Sequence, residues 1–168
     1  MHKEQTPVTD VLYRIKRGLS GYVSYLAACE MNQAFSEYVL YEPVLRILMS
    51  QGFDVKCEVK CPGLENTGPG DKKRIDFVAK KEKDHFAMEV KWAKTIKQKI
   101  DGDMQKLREF HKAFPSSLSF LCVFGRKSIV EAFDYSGHNL KPRGVVTIAD
   151  FGRTRFACRI FQLIENDA

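Results

Sequence analysis

The segment Arg74–Lys94, RIDFVAKKEKDHFAMEVKWAK, places two carboxylates and an ammonium in otherwise apolar company. Asp76 and Glu89 each sit inside a run of strand-forming residues, and Lys91 follows Glu89 by two positions. A hairpin turning at Glu82 and Lys83 sets Asp76 directly opposite Glu89. Directly opposed strand residues have Cβ atoms about 5 Å apart, and like charges so placed destabilise a sheet. A divalent cation would offset that repulsion. Hard ions such as Mg²⁺ take carboxylate oxygens and retain waters for chemistry. Lys91, one strand step from Glu89 on the same face, can then reach a metal-bound water or a phosphate. In this register Ile75, Phe77, Ala79, Phe86, Met88, Val90 and Trp92 form the core face, and Asp76, Val78, Ala87, Glu89 and Lys91 form the other. A wet outer hairpin face is the competing reading of the same residues.

The elements that must hold these groups follow from periodicity. Thr9–Met31 carries apolar residues at helical spacing, with Gly18 and Gly21 marking a bend or close packing. Ser36 reads as the N-cap of a second helix closed by Gly52, kinked at Pro43 or beginning just before it. Phe53–Cys61 alternates as a half-buried strand. Strands are expected at Arg74–Lys80 and His85–Trp92, then a basic linker and a helix from Asp101 to Ala113. SLSFLCVFG is a buried strand. The rest reads as a short helix near Ser128–Phe133 and two strands, GVVTIAD and RFACRIFQLI. This order predicts an α/β fold with helices flanking a mixed central sheet. The helical extension covers 1–35 and the main unit 36–168, within one compact domain overall.

Composition narrows the function classes. The chain has 168 residues, 44% apolar and 29% charged, with a formal net charge of +6. That suits a folded domain and favours a polyanionic partner. No run approaches the roughly 18 apolar residues of a membrane span, and the first ten residues lack a secretory h-region. The five cysteines are scattered and form no metal-binding spacing. They read as buried or half-buried free thiols of a cytoplasmic protein. Gly63 and Gly68 have phosphate-loop spacing, but Pro69 stands where such a loop needs lysine. The four histidines show no ligand spacing, and His85 reads as structural. No nucleophile-elbow or dinucleotide-binding glycine pattern is present, so no organic cofactor is expected.

Asp76, twelve intervening residues and then Glu89-Val90-Lys91 resemble the PD-(D/E)XK nuclease superfamily, with its restriction-endonuclease-like fold. Ile75 replaces the leading proline of the family's name. The matching order of elements runs from about Ser36 to Phe124, and RIDFVA and FAMEVK resemble the core strands. The resemblance implies a Mg²⁺-dependent endonuclease acting on DNA, with Mn²⁺ as a substitute ion. Asp76, Glu89 and the Val90 backbone carbonyl would bind the metal, and Lys91 would act on the attacking water or the transition-state charge. An upstream glutamate completes the set. Glu37 shares a helical stripe with Leu40, Val44 and Ile47/Leu48, whereas Glu42 lies off it and Glu58 is a third option. Lys72, Lys73 and Arg74, together with Lys94, Lys97 and Lys99, fall at the acid-bearing end of the hairpin and would contact phosphates. Gln105 or Lys106 on the following helix would touch substrate. Family members often act as homodimers. The alternatives are an inactive nucleic-acid-binding or protein-interaction module of the same fold, and a structure-specific junction resolvase.

Overall fold

The computed structural model describes residues 6–31, 36–65, 73–151 and 154–164. It is a mixed α/β protein. Seven strands form one sheet in the order β1-β2-β3-β4-β7-β5, with β6 pairing on β7. The strands are β1 (Asp54–Lys60), β2 (Arg74–Lys81), β3 (Asp84–Ala93), β4 (Leu118–Arg126), β5 (Leu140–Pro142), β6 (Thr147–Phe151) and β7 (Thr154–Leu163). The helices are α1 (Pro7–Ala28), α2 (Tyr41–Ser50), α3 (Asp101–Ala113) and α4 (Lys127–Glu131). No helix of the described residues is long and apolar enough to cross a membrane.

Helices cover both sheet faces. On one, Val11, Ile15 and Leu19 of α1 and Val44 and Leu48 of α2 join Phe77, Phe86, Met88, Phe120 and Phe124 in one core. On the other, Met104, Leu107 and Phe110 of α3 and Val130 of α4 join Ala87, Leu121, Val123 and Phe161. Strand β4 lies between the layers, which explains its nearly unbroken apolar run. β3 and β4 are parallel, joined through α3, and β2 and β3 are an antiparallel hairpin. Gly125 has φ 153°, and a Cβ there would lie 2.7 Å from the Ala93 carbonyl oxygen. The β3–β4 approach therefore requires glycine at this position.

α1 packs in the same core as the sheet and closes its far side. Thr6 caps it by accepting the Thr9 N–H, and Pro7 occupies the first turn. Gly18 permits close crossing, since a Cβ would lie 2.6 Å from Ile47 Cδ1, whereas Gly21 faces open space. Lys16 Nζ donates to the Arg143 and Val145 carbonyls at 3.0 and 2.8 Å, and Ser20 and Ser24 donate to Thr147 and Ala149 at 3.0 and 3.4 Å. Four helical residues advance about 6 Å and two strand residues about 6.7 Å. A donor every fourth helical position thus stays nearly in step with every second strand carbonyl. The ladder covers a sheet edge that would otherwise expose unpaired backbone groups.

Several expected boundaries shift. The second helix begins as a 3-10 turn, Tyr38–Leu40, and becomes α-helical at Tyr41, which puts Pro43 in the first turn where its missing N–H costs little. β5 was not expected, because three residues ending in proline give no strand period. Cys61, Cys122 and Cys158 are buried, whereas Cys29 and Cys57 are exposed. Cys57 is exposed because β1 is an edge strand with one neighbour.

Burial holds the Lys16 pKa below its ordinary 10.5. Between the lowered value and 10.5 the unfolded chain binds more protons than the native one, so this group makes stability rise with pH in that interval. Lys16→Met should lower stability by about 1–3 kcal/mol at neutral pH by leaving two carbonyls unpaired. It should also remove that alkaline rise. Urea denaturation at neutral and alkaline pH checks both outcomes.

Candidate active site

The β2–β3 register runs from Lys81↔Asp84 to Phe77↔Met88, with the turn at Glu82 and Lys83. Its next step sets Asp76 against Glu89, as expected. There the ladder opens. The Asp76 N–H donates to Glu89 Oε1 at 3.3 Å, and the Val90 N–H donates to Asp76 Oδ2 at 2.7 Å. On the other side, the β1–β2 register places Glu58 across from Asp76, and Glu58 has φ 52°. This opening corrects one expectation. Ile75 does not share a layer with Phe77 but belongs to the α3-side core. Regular alternation ends at Asp76, where side-chain acceptors replace strand pairing.

The two acids turn to different layers. Asp76 accepts a short hydrogen bond from the Tyr41 hydroxyl at the start of α2; that hydroxyl also lies 2.9 Å from Glu58 Oε1. Glu89 is only 1% exposed and pairs with Lys106 of α3, itself 8% exposed. Lys106 Nζ also donates to the Arg74 carbonyl at 3.0 Å and lies 3.4 Å from Asp103 Oδ1. Lys91 Nζ is held by Asp103 Oδ2 at 2.8 Å and Glu37 Oε1 at 3.3 Å. Glu37 Oε1 further accepts the Trp92 N–H at 3.1 Å. Asp76, Glu89, Asp103, Lys91 and Lys106 thus form one continuous charged cluster, with Glu37 at its rim.

Among the upstream acids, Glu37 reaches the cluster through Lys91, from just ahead of the 3-10 turn rather than from a regular helical stripe. Glu42 pairs at the surface with Arg46, as expected of a solvated charge. Glu58 joins through Tyr41. Lys94, Lys97 and Lys99 are exposed beyond the end of β3, at the open end of the hairpin. Arg74 is exposed at the start of β2 and donates to the Glu58 carbonyl at 3.3 Å, and Lys73 precedes it. Lys72 lies outside the described residues. Gln105 is exposed, while its neighbour Lys106 turns inward. His85 stacks edge-on against Phe110 and Phe114 and bonds Ser117, which is a structural role. Burial keeps its pKa low.

Tyr41 and Asp103 were not expected at the site, and Lys106 was expected there only as an alternative to Gln105 for a substrate contact. The signal for α3 was present. Asp103, Lys106, Leu107 and Phe110 recur at i, i+3, i+4 and i+7, the spacing of an inward-facing stripe. Two charged residues on such a stripe call for buried partners.

Electrostatics follow from burial and crowding. Burial raises the Asp76 pKa, and bonds from Tyr41 and Val90 only partly offset it. Burial and then the charge of Asp76 push Glu89 well up, against the pull of Lys106. Burial acts to lower both lysines, but Asp103 and Glu37 hold Lys91, and Glu89 and Asp103 hold Lys106, above the ordinary value. The lysines stay protonated, whereas burial and neighbouring acids disfavour the charged forms of Asp76 and Glu89. With all four acids ionised, Glu37, Asp76, Glu89 and Asp103 would exceed the charge of the two lysines by two. That excess equals the charge of one divalent cation. The donors are hard oxygens, so Asp76, Glu89 and the Val90 backbone fit Mg²⁺ in chemistry. No group of three His, Cys, Asp or Glu among the described residues is gathered closely enough to hold a metal by itself.

No family model, curated protein or solved structure matches the chain.

Tyr41→Phe removes the hydroxyl shared by Asp76 and Glu58. Stability should fall by about 1.5–3 kcal/mol, the usual loss for a hydrogen bond to a charged group. Urea midpoints of the two proteins check this.

Proposed function

We propose that the protein is a metal-dependent nuclease that hydrolyses phosphodiester bonds in DNA as an endonuclease, with a PD-(D/E)XK-type site. The observation that carries this reading is the opened hairpin end, where Asp76 and Glu89 oppose each other and Lys91 follows one strand step later. The order β1-β2-β3-α3-β4, with β3 and β4 parallel, supports the restriction-endonuclease-like reading of the fold. The net charge of +6 and the exposed lysines after β3 support a polyanionic substrate.

Asp76, Glu89 and the Val90 carbonyl would hold Mg²⁺, with Mn²⁺ as a substitute. A bound divalent ion supplies an acidified water and neutralises charge on the scissile phosphate. Lys91 acts as a fixed positive charge, because Asp103 and Glu37 keep its ammonium protonated. It stabilises the charge that develops on the phosphoryl oxygens rather than removing a proton from water. Glu37 and Asp103 orient Lys91. Tyr41 orients Asp76, and the Asp76 N–H orients Glu89. Lys94, Lys97, Lys99, Lys73 and Arg74 draw phosphates toward the open end, so binding weakens as salt rises.

A second reading has one observation in its favour. Lys106 already pairs with Glu89, as a permanent counter-charge would in a non-cleaving, nucleic-acid-binding copy of the fold.

Supercoiled, linear and branched DNA incubated with the protein and Mg²⁺ or Mn²⁺ separates the readings. Cleavage is expected and should stop with chelator. Lys91→Ala and Asp76→Ala should each lower the rate by roughly 10²-fold or more, the scale of losing one transition-state contact. A preference for branched DNA would mark a junction resolvase. Folded wild-type protein that binds these DNAs but cuts none with either metal would sink the nuclease reading.

A further inference from the structure

Two lysines serve the charged cluster, and they are placed differently. Lys91 is held by Asp103 and Glu37, which flank the opposed acids, and it makes no ion pair with Glu89 or Asp76 among the described contacts. Lys106 instead sits directly on Glu89 Oε2, the carboxylate oxygen not taken by the Asp76 N–H. Its other contacts are the Arg74 carbonyl, just before the acid of β2, and Asp103 Oδ1, one turn back on its own helix. One ammonium therefore gathers three oxygens from three elements. A hard divalent ion seeks the same kind of surroundings. Both groups cannot use Glu89 Oε2 fully at once.

We infer that Lys106 is an internal counter-cation that holds Glu89 in the metal-free protein and must release it for a divalent ion to bind. This rests on the reading of Asp76 and Glu89 as metal ligands. Release has a local acceptor. Asp103 lies on the same helix three residues earlier and already contacts the ammonium, so Lys106 can shift toward it without leaving the cluster. Lys106 is thus a positioning residue that sets metal affinity. Its long unbranched stem suits such a movement, whereas an arginine fork would grip the carboxylate with two bonds and let go less readily.

The test is Mn²⁺ titration of metal-free protein by isothermal calorimetry. It compares wild type with Lys106→Met, Lys106→Arg and the exposed control Lys83→Met. Lys106→Met should bind Mn²⁺ about tenfold more tightly or better, and Lys106→Arg at least about threefold more weakly. Lys83→Met should stay within about twofold of wild type, because exposed charges are screened. The arginine variant separates displacement from mere field strength, since it keeps the charge and strengthens only the grip. It also decides the matter if Lys106→Met does not fold. Unchanged affinity in Lys106→Arg, or unchanged or weaker binding in a folded Lys106→Met, overturns the inference. Cleavage of DNA, measured in parallel, keeps the two readings apart. A wild-type protein that cuts with Mn²⁺ while the Lys106 variants bind it unchanged loses only this inference. A protein that binds Mn²⁺ with the expected order of affinities yet cuts nothing loses only the nuclease reading. Absence of Mn²⁺ binding in every variant overturns both.

Discussion

The repulsion between Asp76 and Glu89 is the constraint around which the site is built. Two carboxylates set opposite each other in a sheet would push the strands apart, and one of these is almost fully buried. Every described polar contact of the pair is with a donor. Backbone N–H groups of Asp76 and Val90, the Tyr41 hydroxyl and the Lys106 ammonium meet their oxygens. The strand ladder is given up to make this possible, since N–H groups that would pair along β2 and β3 turn to side-chain oxygens. The opening of the hairpin and the solvation of the acids are therefore one event. Without it, buried unpaired carboxylates would carry a heavy desolvation penalty.

That arrangement explains why the site draws on both layers. The open hairpin end leaves Asp76 to α2, through Tyr41, and Glu89 to α3, through Lys106. The two helices lie on opposite faces of the sheet and pack through separate cores. Among the described residues, polar side chains from the two layers approach each other where the strands part. Away from the site, the central strand β4 is buried on both faces while β1 is largely exposed, and the edge beside β6 is closed by the Lys16, Ser20 and Ser24 ladder of α1. A rigid frame of this kind suits a site whose charges repel, because the repulsion cannot relax by moving whole elements.

What the sequence could reveal follows from the range of each interaction. The hairpin, its turn at Glu82 and Lys83 and the opposition of Asp76 to Glu89 depend on strand period over twenty residues, and they were legible. So were α3 and the buried β4. The partnership of Lys106 with Glu89 joins elements whose relative rotation is set by packing across the whole sheet, and only the inward stripe on α3 hinted at it. Glu37 was picked as the upstream acid on a helical stripe. It reaches the cluster from ahead of a 3-10 turn instead, because Pro43 belongs in a first turn and pushes the α-helix start to Tyr41. Ile75 was misplaced for a related reason. Period-two alternation assumes an intact ladder, and the acids themselves break it. A pattern argument fails first where the chemistry it is looking for distorts the pattern.

The two lysines show why a motif names only part of a site. The E-x-K spacing picks out Lys91, because strand alternation alone puts it beside Glu89. Yet in the folded chain the cation that touches Glu89 is Lys106, and Lys91 is restrained by acids from two other elements. The division is physically sensible. Lys91 keeps 17% of its side chain exposed, against 10% for Lys106. A charge meant to keep a buried carboxylate in place has to be buried with it, as Lys106 is. Removing Lys106 would leave the Glu89 carboxylate in the core without its counter-charge. The acids that meet each ammonium, more than its distance from Glu89 along the chain, decide what it can do.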